Sequence, residues 1–89
     1  MPERDAEPQI FVSRFSCLSE HSARVLANAI LVAGLRPELR PPRLPGEPWR
    51  VWTPAELLAT ADNVGQLRQA MTDAAARAGA TYEGSEPAE

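Results

Sequence analysis

The sequence predicts an α+β fold: a small antiparallel sheet with two helices on one face. Three observations predict it. β-branched and aromatic residues gather at Gln9 to Phe15 and again at Trp49 to Thr53, as strands require. Apolar residues recur at helical spacing over Ala23 to Ile30 and over Leu67 to Ala78, as amphipathic helices require. Strand and helix signals follow in the order βαββα, and the chain has 89 residues, enough for one domain and no more.

In Gln9–Phe15 the side chains alternate between two faces. Phe11 and Phe15 share one face with Ser13, and Ile10 and Val12 share the other, which ends at Arg14. Two largely apolar faces predict a central strand covered on at least part of both sides. Ser16 and Ser19 both suit a helix N-cap, since a serine oxygen accepts from an orphan backbone N–H. Glu20 then falls in the first turn, where a carboxylate suits the helix dipole. Ala23, Leu26, Ala27 and Ile30 form the core stripe, with Val25, Ala29 and Val32 beside it. So apolar a helix packs on two sides or meets a partner. Gly34 closes it in a left-handed conformation.

Leu35 to Pro48 holds five prolines and cannot be a regular central strand. Leu35–Arg40 reads as a short edge strand or a polyproline-like extension, and Arg43–Pro48 as a turn around Pro45-Gly46. Residues 54–61 are ambiguous. Thr53-Pro54-Ala55-Glu56 has the pattern of a capping box with Pro at the first helical position, and Asp62 offers a later N-cap. The reading favours a main helix over about 62–78, with Leu67, Met71, Ala74, Ala75 and Ala78 on its apolar stripe and Gly79 as its stop.

Charge sets the ends apart. The net charge is −3, all nine basic residues are Arg, and acidic residues crowd both termini. Residues 1–8 and 85–89 are expected to be flexible acidic tails around a domain spanning 9–84. The apolar run Ala29–Ala33 is far too short to span a bilayer. The N-terminal MPERDAEP does not read as a signal peptide. A lone cysteine excludes an intramolecular disulfide and points to the cytoplasm.

Several landmarks together resemble one family. A strand rich in Phe and Val (Phe11-Val12, Phe15) precedes a helix that starts with an acid and alanine (Glu20, Ala23) and ends at Gly34. A Trp-x-Val strand follows (Trp49-Arg50-Val51), then a helix carrying Met71 and Ala75, closed by Gly79-Ala80-Thr81-Tyr82-Glu83-Gly84. These features resemble the ribonuclease E inhibitor family, the regulators of ribonuclease activity B, over residues 10–84. Ala80 stands where the family has a second glycine, and Ser85 where it has a tryptophan. The resemblance implies a ferredoxin-like βαββα core. It also implies a protein that binds a ribonuclease and restrains RNA cleavage without chemistry of its own.

The chemistry-bearing residues are sparse. Cys17 and His21 sit four apart, but the chain has one Cys and one His, short of the three or four ligands zinc needs. Cys17 reads as a small buried hydrophobe. Asp62 and Asp73 are roughly 16 Å apart along one helix, too far for a catalytic carboxylate pair. No phosphate-binding loop, dinucleotide fingerprint or zincin motif occurs. The expectation is therefore no catalytic residue, no metal and no cofactor.

What remains is a run of Arg36, Arg40, Arg43 and Arg50 around Trp49 and Trp52. Net acidity disfavours direct nucleic-acid binding. Trp and Arg are instead enriched at protein-binding hot spots. The expected protein interface is Arg43, Arg50, Trp52 and Tyr82, and the expected function is inhibition of an enzyme, with a ribonuclease implied by the resemblance. An inhibitor of another host enzyme of the phage or immunity type, a self-associating homodimer and a small-ligand-sensing domain are the alternatives.

Overall fold

A computed structural model describes residues 7–88. The elements are β1 (Pro8–Cys17), α1 (Glu20–Val32), β2 (Glu38–Arg40), β3 (Trp49–Leu58), α2 (Ala61–Ala78) and β4 (Thr81–Pro87). One four-stranded sheet runs in the order β2-β3-β1-β4. Every neighbouring pair is antiparallel, so the fold is α+β. β1 is central, paired along its whole length with β3 and from Phe11 to Ser16 with β4.

Alternation along the strands decides which side chains meet the helices. Phe11, Ser13, Phe15 and Cys17 of β1 are buried, as are Val51, Thr53 and Ala55 of β3. They pack against Ala23, Leu26 and Ile30 of α1 and Leu67, Met71, Ala74 and Ala75 of α2. The other face, with Val12, Arg14, Arg50, Trp52 and Glu56, carries no layer and is half-buried or exposed. The expected cover on both faces of β1 is therefore present on one only. Ser22 ties the helices together by donating to the Ala78 carbonyl at 2.8 Å.

A polar row crosses the core face. Thr53, Ser13 and Ser85 are register partners across β3, β1 and β4. The Ser13 and Ser85 hydroxyls bond at 2.6 Å, and Ser85 also bonds the Tyr82 hydroxyl. Thr53 Oγ1 is buried without a partner.

The caps explain the helix boundaries. Ser19 is the N-cap of α1, its hydroxyl accepting from Ser22 N–H at 3.1 Å. Ser16 instead belongs to β1, where it bonds Glu83. Gly34 (φ +91°) lets the Leu35 N–H reach the Ile30 carbonyl at 3.2 Å, and Gly79 (φ +66°) does the same for Ala80 and Ala75 at 2.9 Å. Both are Schellman closures. Thr60 caps α2 through the Asn63 N–H at 3.1 Å, so Asp62 lies inside the first turn rather than at the cap.

Two segments differ from the sequence expectation. The capping-box pattern Thr53-Pro54-Ala55-Glu56 is strand, because β3 runs on to Leu58 opposite Pro8. Ala55 faces Phe11 in that ladder and belongs to the core, a pull that overrides the local helix signal. The C-terminal segment is not a tail from residue 85. Ser85, Glu86 and Pro87 pair with Ser13, Val12 and Phe11, and the Ala88 N–H donates to the Ile10 carbonyl at 2.7 Å. The domain thus extends past Gly84, and the element order is βαββαβ. The expected N-terminal tail lies outside the described residues except for Glu7 and Pro8, and Pro8 opens β1.

β2 is only three residues long. Pro37 bounds it before and Pro41-Pro42 after. A short strand bracketed by proline offers little edge to a foreign strand. Because β2 covers only Arg50–Trp52, β3 becomes an edge from Thr53 onward, and there a proline such as Pro54 is tolerated.

Candidate functional site

The short β2 strand and the proline-rich connection to β3 build a cleft. Its volume is about 530 Å³, and Glu38, Arg40, Arg43, Glu47, Arg50 and Trp52 line it with Pro41, Pro42 and Pro48. That size is within the usual range of ligand sites. The register sets its floor. Glu38 pairs with Trp52 and Arg40 with Arg50, while Leu39 between them packs on the core. Glu38, Arg40, Arg50 and Trp52 therefore project together from the bare sheet face.

The connection is held by its own carboxylate. Glu47 Oε1 accepts the backbone N–H of Arg43 at 3.2 Å and of Leu44 at 3.4 Å, and the Glu47 N–H donates to the Leu44 carbonyl at 3.2 Å. This fold-back and the neighbouring prolines present Arg43 at the cleft wall. Trp52 is held by two guanidiniums. Arg40 lies 3.8 Å and Arg14 5.4 Å from the ring centroid. Each such contact is worth about 0.5–1 kcal/mol at an exposed site. Arg40 also reaches Glu38 at 3.0 Å, and Arg14 reaches Glu86 at 3.2 Å.

The cleft's charges are not balanced. Glu38 is taken by Arg40, and Glu47 Oε1 by backbone amides. Among the described residues no carboxylate pairs with the guanidinium of Arg43 or Arg50. Arg50 also faces Arg40 directly across the ladder.

Of the four expected interface residues, the structure brings Arg43, Arg50 and Trp52 into this one cleft. Tyr82 is elsewhere. It lies on β4, with its ring 5.3 Å from Phe15 and its hydroxyl on Ser85. Its role there is to close the core beside the sheet edge. Trp49, unlike Trp52, packs against the core. Arg14 and Glu47 were missed by sequence reasoning. Arg14 lies 38 positions before Trp52 in the chain, and only the β1–β3 register puts them opposite each other.

The remaining chemistry-bearing residues are dispersed. Cys17 ends β1 and is buried, whereas His21 is exposed on α1, so their spacing puts them on different elements. Burial pushes the Cys17 thiol above its ordinary pKa, with a Ser22 hydrogen bond acting the other way. Asp62 and Asp73 are exposed along α2, and Asp73 accepts from Gln69 at 3.0 Å. Among the described residues no group of three or more His, Cys, Asp or Glu is placed to hold a metal ion, and no helix is long and apolar enough to cross a membrane.

A smaller groove of about 210 Å³ runs between the helices, lined by Ala29, Val32, Ala70, Ala74 and Arg77. Compared with protein-family models, with curated proteins and with solved structures, the chain matches none.

Proposed function

We propose that this chain is a small non-catalytic regulatory protein of the cytoplasm, which binds an enzyme through the β2–β3 cleft and restrains it by occlusion. The observation that carries the proposal is the gathering of Trp52, Arg43 and Arg50 in one cleft on the bare sheet face. Trp and Arg dominate the energetics of protein interfaces, where they anchor in pockets. A ribonuclease is the enzyme suggested by the resemblance to the regulators of ribonuclease activity B. A ferredoxin-like reading of the fold is supported by the βαββαβ order and the strand order β2-β3-β1-β4, since each βαβ unit then straddles an antiparallel strand.

The test is affinity capture from host lysate with the tagged protein, using Trp52→Ala as control, followed by assay of the captured enzyme. Recovery of a ribonuclease that the wild-type protein inhibits and the variant does not supports the full reading. Recovery and inhibition of a different enzyme keeps the regulatory role and discards the ribonuclease. Equal inhibition by wild type and Trp52→Ala would remove the cleft from the mechanism.

A second reading, self-association, is favoured by one observation: Leu31 and Val32 on α1 are 56% and 80% exposed, and Val32 lines the interhelical groove. It predicts a native mass twice that of the monomer, reduced to the monomer in Val32→Glu.

A further inference from the structure

We propose that the β2–β3 cleft receives an acidic segment of the partner protein, its carboxylates bound by Arg43 and Arg50 alongside Trp52. The inference rests on the enzyme-binding reading above and names the chemistry of the segment that is held.

The argument begins with a like-charge pair. Arg40 and Arg50 sit directly opposite each other in the β2–β3 ladder, an arrangement that destabilises a sheet. Arg40 is compensated by Glu38 and by the Trp52 ring. Arg50 has no such compensation among the described residues. Local conflicts of this kind are expected at functional sites, where a ligand relieves them. A carboxylate beside Arg50 would do so, and the guanidinium fork suits carboxylate geometry.

Arg43 adds the second anchor. Its backbone is fixed by Glu47 Oε1, and among the described residues its guanidinium has no carboxylate partner. Prolines 41, 42 and 48 line the same walls, so little backbone freedom is lost when a segment docks.

Trp52 argues against a nucleic-acid occupant. Nucleic-acid platforms offer an aromatic face on which a base stacks, but this ring already has guanidiniums at 3.8 and 5.4 Å. The net charge of −3 opposes a polyanion with a long footprint, yet leaves room for one short acidic segment.

The cleft lies at the end of the sheet where Trp49 pairs with Cys17, whereas Pro8 pairs with Leu58 and Pro87 with Phe11. At the usual strand rise, Trp52, opposite Arg14, lies about 10 Å along β1 from the level of Pro87 and about 20 Å from that of Pro8.

The experiment titrates the intact protein with three probes: a short peptide alternating glutamate and serine, the matching lysine–serine peptide, and a short single-stranded RNA. Calorimetry reads the affinity, and circular dichroism and native mass are followed alongside. Saturable binding of the glutamate peptide is expected, weakened by about tenfold or more in the Arg43→Ala/Arg50→Ala double variant. Arg36→Ala, outside the cleft, is expected to bind as wild type does. No saturation, equal binding of the lysine peptide, an unchanged affinity in the double variant, or tighter binding of the RNA would each overturn the inference. So would a concentration-dependent rise in mass that the double variant abolishes, because the occupant would then be a second copy. Absent peptide binding by the wild-type protein, with an enzyme inhibited by wild type and not by Trp52→Ala, rejects this inference alone. Peptide binding with no enzyme inhibited leaves the cleft chemistry standing and rejects the regulatory reading.

Discussion

Thr53→Val is expected to stabilise the protein, although it removes a polar group from the centre of the sheet. Thr53 is 0% exposed, and its Oγ1 has no hydrogen-bond partner. Its register neighbour Ser13 directs its hydroxyl to Ser85 at 2.6 Å, so the polar row is satisfied without it. An unsatisfied buried hydroxyl costs about 1–3 kcal/mol. Valine keeps the β-branched shape and replaces the oxygen with a methyl group, which suits a strand. Allowing for imperfect fit of that methyl, the expected gain is about 1–2 kcal/mol. In a domain of this size each kcal/mol raises Tm by about 4–8 °C. The assay is urea unfolding followed by tryptophan fluorescence, with the midpoint rising and the slope unchanged. Thr53→Ser provides the opposite control. It keeps the unpaired oxygen and deletes a buried methyl, with an expected loss of about 0.5–1.5 kcal/mol. A midpoint for Thr53→Val at or below wild type would refute the reasoning, because it would mean that the hydroxyl is satisfied, for instance by a buried water.

Met71 is 1% exposed in the core, so Met71→Ala is expected to cost about 2–5 kcal/mol in denaturant unfolding. Gly79 closes α2 at φ +66°, and Gly79→Ala is expected to lower stability by about 1–2 kcal/mol, because an L side chain is strained in that conformation. Nothing crowds the position, so strain alone sets that loss. Cys17 makes a pH prediction. Burial raises its thiol above the ordinary value of 9.0, so the folded state holds the proton more tightly than the unfolded state. The stability this contributes is complete below that value and is lost as pH rises through the folded pKa. Unfolding free energy should therefore decline above about pH 9 in wild type and decline less in Cys17→Ala, measured by urea titration across alkaline pH.

The sequence was legible where local and tertiary demands agree. Phe11, Ser13 and Phe15 share a face by simple alternation, and the structure buries all three. Ser19 and Gly34 frame α1 by backbone chemistry that needs no tertiary partner. The failures fall where the demands conflict. Thr53-Pro54-Ala55-Glu56 has the local grammar of a helix start, but Ala55 is claimed by the core beside Phe11. β4 was hidden because Thr81–Pro87 contains a glycine, a proline and two glutamates. Its ladder also shifts register between Arg14 and Phe15, which spoils any alternation that a reader could count. The site divides in the same way. Arg43, Arg50 and Trp52 were legible because they lie within one short stretch, whereas the approach of Arg14 to Trp52 depends on the register of strands far apart in sequence.

Proline placement links the fold to the cleft. Pro37 and Pro41 limit β2 to Glu38–Arg40, and this brevity has two consequences. The β2 edge is too short to recruit a foreign strand, so a partner is not expected to bind by extending the sheet alongside β2. The chain leaving β2 must also cross from Arg40 to Trp49 through further prolines, which hold it open as a cleft wall rather than a tight hairpin turn. A tight two-residue turn would extend the ladder past the Arg40–Arg50 pair. It would then offer each guanidinium a cross-strand neighbour. The proline-rich connection does the reverse: it ends the ladder at that pair and leaves Arg50 facing the cleft. The composition that first marks this stretch as a loop is thus the same composition that leaves two arginines beside Trp52 without carboxylate partners among the described residues.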